Sequence, residues 1–418
     1  MAVDVSSRIR ELNESITLKL NAKACALADS GKRIFNLTAG QLPFRPMPEF
    51  VELLRSELNF LKSFQYPPVA GLPLLRQKVK KYFADSRKLP LSTVEKNFDC
   101  IISNGGKHSV SNALGALIDH GDEVILLAPY WVSYPEIIRF CKGTVVVVNS
   151  NIYDAFIPNI DDIKKVISSR TKAIIVNSPN NPSGIHYPDN WMKDFADLMT
   201  EHSDVSIISD EIYYEVNYFD PAPTYFYQHR PELLERTIII DGISKNLACT
   251  GLRIGFCLAP KSLVHGMGKL QGQTTSGASS LVQRALINFD FDGIKDYLIP
   301  IKSHLRRNAD ILREKLRDAN LSHCFYQPLS AFYYLIDFTQ TPKFTAFQEK
   351  FAQVDHLEGD VHDISVPICE YLLEEHSIAL VPGSAFGLPN TARISLVLEN
   401  GPFTDAMEIL TRCLSEKA

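Results

Sequence analysis

The sequence predicts an α/β protein with a mainly parallel seven-stranded sheet, followed by a smaller α+β unit. Three observations carry this. Seven short β-rich runs, most of them separated by helix-length stretches, begin near residue 100. After Tyr297 the rhythm changes to long helices with a few short strands. The length of 418 residues exceeds one simple core and suits two domains.

At the N-terminus, Ile9, Leu12, Ile16 and Leu20 recur at helical spacing and predict an amphipathic helix. Pro43, Pro46 and Pro48 mark an extended crossing segment. The strand runs are Cys100–Ser103, Val124–Ala128, Thr144–Val148, Ala173–Asn177, Val205–Ser209, Thr237–Asp241 and Ile254–Ala259. The last two lie close together, which leaves room for a different pairing. A helix is expected over about Ile299 to Ala319, then a strand at Ala331–Asp337, a helix near Ile364–His376, short strands and a final helix near Thr404–Leu414. The segment Thr339–Asp363 is polar without a clear period and is expected to be a surface excursion.

Composition removes several classes of function. Hydrophobic residues make up 45% and charged residues 22%, as in ordinary globular proteins. A formal net charge of −5 argues against nucleic acid or an anionic membrane as main partner. No stretch reaches the roughly 20 apolar residues of a membrane span, and Met1 to Leu20 has no continuous apolar core. Eight scattered cysteines, with no Cys-x-x-Cys, fit reduced thiols in the cytoplasm.

Chemistry concentrates where open α/β sheets bind ligands, just past strand ends. Gly105-Gly106-Lys107 follows the first run and opens a helix through Val110, Leu114 and Leu117. Such a turn lets backbone N–H groups approach a phosphate, although a tight strand-to-helix connection needs the same residues. Asp210 follows Val205–Ser209, where a carboxylate can hold a pyridine nitrogen protonated; an aspartate there is also a good helix N-cap. Tyr213 suits a hydrogen bond to a ring hydroxyl oxygen, or a satisfied core position. Asn181 sits in the rigid loop Ser178-Pro179-Asn180-Asn181-Pro182-Ser183-Gly184, able to donate to the same oxygen or to form an Asx-turn. Lys245, with Ser244 before it and Arg253 eight residues on, suits an aldehyde cofactor that carries a phosphate. A single lysine is usually a solvated surface group. Four such motifs in this order are improbable by coincidence, and together they suit pyridoxal 5′-phosphate.

These residues resemble the class I aminotransferases, in the bacterial-type aspartate aminotransferase subgroup, from about Asn21 to the C-terminus. The matching blocks include Leu37-Thr38-Ala39-Gly40, Tyr66-Pro67-Pro68-Val69-Ala70-Gly71, Ala128-Pro129-Tyr130-Trp131-Val132-Ser133-Tyr134-Pro135, Asn177–Gly184, Ser209–Tyr213, Ser244–Gly255 and Ala392-Arg393-Ile394-Ser395. The resemblance implies the type I pyridoxal-phosphate fold, with residues 46–298 as the large domain and 299–418 as the small one, joined by 1–45. It implies that Trp131 stacks on the cofactor, that Arg393 grips the substrate α-carboxylate, and that Gly40 comes close to the substrate. Tyr66 falls where a tyrosine reaches the cofactor phosphate of the other subunit, which implies a homodimer with shared sites.

Substrate choice turns on Lys107. In members that use acidic substrates this lysine helps hold the distal carboxylate, and the resemblance implies that role here, with help from the Ser15 and Thr17 hydroxyls; the plainer reading is a lysine lying over the helix surface. The expected activity is therefore amino transfer between aspartate or glutamate and a 2-oxo acid, by a ping-pong route. The alternatives with the same cofactor are an aminotransferase of aromatic or broad specificity, a C–S lyase and an aminocyclopropane-carboxylate synthase. A DNA-binding regulator on this fold needs an added domain, and only about 20 residues precede the match. No Gly-x-Gly-x-x-Gly follows a strand, which argues against a nicotinamide dehydrogenase. Four positions depart from the common pattern: Gln41-Leu42-Pro43-Phe44 for Glu-Pro-Asp-Phe, Leu252 for a frequent tryptophan, Ser330 for glycine before Ala331-Phe332, and Asn13 where prephenate-using members carry a lysine. The last argues against prephenate as a substrate.

Overall fold

The computed structural model describes residues 4–10, 12, 16–352 and 363–416. Twelve strands are present among them: β1 (Phe35–Asn36), β2 (Phe98–Ser103), β3 (Glu123–Leu127), β4 (Thr144–Val148), β5 (Thr171–Asn177), β6 (Ser206–Asp210), β7 (Thr237–Gly242), β8 (Gly255–Pro260), β9 (Tyr333–Asp337), β10 (Ile378–Ala379), β11 (Val381–Pro382) and β12 (Thr391–Ser395).

All seven expected runs enter one sheet, in the order β2-β8-β7-β6-β5-β3-β4. Pairings are parallel from β7 to β4, while β8 runs antiparallel to both β7 and β2. The β7–β8 connection holds only the one-turn helix Ile243–Asn246 and the turn Thr250–Leu252, with no helix long enough to cross back over the sheet, so β8 returns antiparallel. The helix Gly106–Leu117 packs on one face and Pro73–Arg87 on the other. Two separate apolar cores line the two sides. Strands buried on both faces read as continuous apolar runs, which is why all but the half-exposed edge strand β4 stood out in the sequence; β4 did so through its four valines.

Beyond residue 294 the chain forms a three-stranded antiparallel sheet, β11-β12-β9. β1 pairs in parallel with β10, tying the N-terminal segment to this part of the molecule. The helix expected near Ile364–His376 is Ser365–His376, and the last helix is Asn400–Ser415.

Three expectations need correction. Ile9–Leu20 is not one helix: Ser7–Arg10 is a short turn of helix with Ile9 exposed, and the second helix is Ile16–Asp29. Its buried contacts are Leu20 and Ala24, and Ala24 packs with Leu373 and Ala379. The helix placed at about Ile299 starts at Ile294 and carries Pro300 inside. Buried Ile294, Leu298 and Ile301 keep one apolar face continuous across the proline, which outweighs the lost backbone bond. The Thr339–Asp363 stretch holds a helix, Phe344–Lys350. Phe347 is buried, and both it and Phe351 pack their rings against Tyr371. Residues 353–362 of that stretch, and Asn13 and Ser15, lie outside the described residues.

Candidate active site

A cleft of about 730 Å³ opens at the C-terminal ends of the parallel strands. It is lined by Gly40, Gly106, Lys107, Trp131, Asn181, Asp210, Tyr213, Ser244, Lys245, Arg253 and Arg393. The fold thus gathers nearly every residue singled out in the sequence, from segments more than 350 residues apart. Gly105 stands beside it and Tyr66 does not line it; Tyr66 is 90% exposed.

Lys245 lies in the one-turn helix Ile243–Asn246 just after β7. Its amine donates to the Gly40 carbonyl and lies 5.6 Å from the centre of the Tyr213 ring. Burial lowers its pKa to about 7, and the positive charges of Arg393 and Arg253 act in the same direction. A large share of neutral amine at neutral pH is what a nucleophilic lysine requires.

Asp210 is the last residue of β6 and is buried. Tyr134 donates its hydroxyl proton to Asp210 Oδ2 at 2.5 Å, and Asn177 Nδ2 donates to the Asp210 carbonyl at 2.9 Å. Burial raises the carboxyl to about 6, against the Tyr134 bond, which favours the charged form. Tyr213 and Tyr333 meet hydroxyl to hydroxyl at 3.1 Å, and burial raises the Tyr213 pKa far above its usual range.

Arg393 on β12 is only 3% exposed. Its Nη1 donates to Asn181 Oδ1 at 3.0 Å and its Nη2 to the Thr38 carbonyl at 2.8 Å. The guanidinium lies 4.4 Å from the Tyr333 ring centre. Its Nε has no partner, and no carboxylate pairs with it among the described residues. A buried cation without a counter-ion is costly in isolation and fits an incoming anion. With its Oδ1 taken by Arg393, Asn181 keeps the Nδ2 hydrogens for another acceptor.

Gly105 adopts φ +83°, and a Cβ there would lie 2.4 Å from Arg253 Nη2. Only glycine lets this loop reach the arginine and open the helix Gly106–Leu117, whose first N–H groups face the same cleft as Arg253 and Ser244. Lys107 sits 5.0 Å from the Trp131 ring centre, and burial, then Arg253, lowers its pKa.

These groups fit pyridoxal phosphate. The cleft offers a desolvated amine for the aldehyde, a buried carboxylate for the ring nitrogen, and an arginine with a glycine-lined helix start for the phosphate. Sequence reasoning missed four supporting groups: Tyr134, Tyr333, Asn177 and the Thr38 carbonyl. Tyr134 lay inside a quoted block and Asn177 ended a quoted strand, so the residues were visible but their partners were not. Of the departures, Gln41 accepts a bond from Thr250 Oγ1 at 3.0 Å. Ser330 joins His186 and Asn217, each at 2.8 Å, in a buried network that glycine could not make.

Comparison with known proteins agrees. The family model "Aminotransferase class I and II" matches residues 32–409. The aspartate/prephenate aminotransferase of Thermus thermophilus is 32% identical over 419 residues, covering 98% of each chain. The aspartate aminotransferase of Geobacillus stearothermophilus is 30% identical, covering 99% of this chain and all of its own. A solved structure of the Thermus thermophilus aspartate aminotransferase with maleate superposes with a TM-score of 0.85 at 31% identity, covering 99% of this chain and 100% of its own. With the family match spanning most of the chain and the cleft assembled from the same motifs, this protein belongs to the class I and II aminotransferases and works with pyridoxal 5′-phosphate on small-molecule substrates.

Proposed function

We propose that this chain transfers the amino group between an acidic amino acid, aspartate or glutamate, and a 2-oxo acid, 2-oxoglutarate or oxaloacetate. One observation carries the reading: besides Lys245 and Arg253, two further cations line the cleft, Arg393 buried without a counter-ion and Lys107 beside Trp131. Two cations suit a substrate with two carboxylates. The names of the relatives point the same way.

When bound, pyridoxal phosphate supplies an aldehyde that condenses with amines and a ring that accepts electrons from the substrate carbon. Lys245 would hold it covalently, and its freed amine would take up and return the substrate Cα proton. Asp210 would face the ring nitrogen and favour its protonated form. Asn181 and Tyr213 would donate to the ring hydroxyl oxygen, while Gly105, Gly106, Ser244 and Arg253 would hold the phosphate. Trp131 would stack on the ring, Arg393 would orient the α-carboxylate, and the Gly40 backbone would come close to the substrate. The two half-reactions share one site, so kinetics are ping-pong.

The test is direct. Purified protein given aspartate and 2-oxoglutarate forms oxaloacetate, and Lys107→Ala loses at least tenfold in kcat/KM for aspartate but under threefold for phenylalanine. A donor screen that favours phenylalanine or cystathionine over aspartate overturns the reading. We assign no prephenate activity, because Asn13 replaces a lysine. Several relatives carry prephenate in their names, so prephenate belongs in the same screen.

We also assign a homodimer in which Tyr66 serves the partner's phosphate site. Leu61, Phe64 and Tyr66 are 74%, 67% and 90% exposed, an apolar strip that a second copy would cover. A monomer in sedimentation at micromolar concentration overturns this. We divide the chain into residues 46–298 as the large domain and 1–45 with 299–418 as the small one, supported by the β1–β10 pairing. Eight free cysteines support a reducing, cytoplasmic setting, and no described helix is long and apolar enough to cross a membrane.

A further inference from the structure

We propose that Tyr134 is a positioning residue for the cofactor ring: its hydroxyl holds the Asp210 carboxylate charged and in one orientation for the ring nitrogen. This rests on the reading of Asp210 given above.

The geometry is restrictive. Tyr134 is 1% exposed and stands in the helix Ser133–Phe140. Its ring meets Trp131 edge-on, with centroids 5.3 Å apart and planes at 83°, which fixes where the hydroxyl lies. That hydroxyl donates to Asp210 Oδ2 at 2.5 Å. The other carboxylate oxygen accepts only the Ile212 N–H, at 3.3 Å. Tyr134 is therefore the one close donor to this carboxylate among the described residues.

Other groups facing Asp210 do not replace it. Lys245 opposes its charge from the helix after β7, Asp241 on β7 has the same charge, and the Tyr213 hydroxyl meets Tyr333, not this carboxylate. Behind it, Arg87 is committed to Glu211 at 2.9 Å and to Asp241 at 2.5 Å. Burial and the adjacent carboxylate raise the Tyr134 phenol far above its usual range, so it keeps its proton and stays a donor.

Tyr134→Phe keeps the ring and its packing and removes only the donor. A hydrogen bond to a charged group contributes about 1.5–3 kcal/mol, or roughly one to two pH units of carboxylate ionisation. The acid limb of kcat then moves up by about one pH unit, and the cofactor-free protein binds pyridoxal phosphate about tenfold more weakly. KM for the amino acid changes less than threefold. In an Asp210→Asn background, adding Tyr134→Phe changes cofactor affinity less than twofold, because the hydroxyl acts through the carboxylate. Three results overturn the proposal. Tyr134→Phe leaves the acid limb and cofactor affinity at wild-type values while Asp210→Asn shifts them, which refutes Tyr134 alone. The tenfold loss persists in the Asp210→Asn background, which makes the role merely structural. Asp210→Asn itself changes neither quantity, which removes the reading of Asp210 and this inference with it.

Discussion

Replacing Arg393 tests the architecture of the substrate site most sharply. The guanidinium is 3% exposed, uses two of its nitrogens on Asn181 and Thr38, and leaves Nε unpartnered. A substrate carboxylate gains two charge-assisted hydrogen bonds from a planar fork, each contributing about 1.5–3 kcal/mol. Arg393→Lys keeps the charge and one bond, so it loses about 1.5–3 kcal/mol, a fall of about ten- to a hundredfold in kcat/KM. Arg393→Gln loses the charge as well, about 3–6 kcal/mol, or roughly a hundred- to ten-thousandfold. The same factors apply to the amino acid and the 2-oxo acid, since both present the carboxylate. The assay is steady-state oxaloacetate formation with both substrates varied, beside titration of cofactor into the cofactor-free variants. Cofactor affinity stays within threefold of wild type, because the phosphate is assigned to other residues. Arg393→Lys within threefold of wild type in kcat/KM refutes the reasoning. So does a parallel loss of cofactor affinity, which marks collapse of the site.

Three further outcomes follow from named contacts. Lys245 has its pKa lowered to about 7, so the rate at which cofactor is taken up by the cofactor-free protein rises with pH through about 7 and then levels; Lys245→Ala abolishes both the absorbance of the covalent cofactor and turnover. Gly105→Ala places a Cβ 2.4 Å from Arg253 Nη2 at φ +83°, costing about 1–3 kcal/mol in stability and weakening cofactor binding at least tenfold, as read by thermal melting and titration. Arg87→Met strands Glu211 and Asp241 in the core and destabilises the protein by about 3–5 kcal/mol in urea unfolding. Burial already raises both carboxyls, Glu211 to about 7, and losing the arginine raises them further. Acids whose folded pKa exceeds the unfolded value bind more protons when folded, so the deficit is small near pH 4.5 and grows as pH rises through 7; a pH-independent deficit contradicts this.

The legibility of the chain was uneven, for physical reasons. Strands buried on both faces must be apolar throughout, and the partly exposed edge strand β4 is a run of valines, so β2 to β8 could be located from short apolar runs. The amphipathic helix Phe344–Lys350 was missed because its packing rests on a few aromatic rings within a charged stretch. Its partner, Tyr371, lies some 20 residues on. At the N-terminus, a helical period from Ile9 to Leu20 was present, but Ile9 found no surface to bury against. Periodicity states which face a helix would bury; tertiary contacts decide whether it does.

The site shows the same division. The sequence by itself determined the candidate reacting groups, because the lysine, strand-end carboxylate, asparagine in a proline-locked loop and arginine proposed for these roles are the residue types that such chemistry calls for. Only the tertiary structure decided their surroundings. It set the Tyr134 hydroxyl on Asp210, stacked Arg393 on Tyr333 without a counter-ion, and brought the Thr38 and Gly40 carbonyls against Arg393 and Lys245. Reacting groups announce themselves by residue type and order along the chain. The proton affinities that make them work arise from desolvation and from neighbours as many as 355 residues away, which no local pattern encodes.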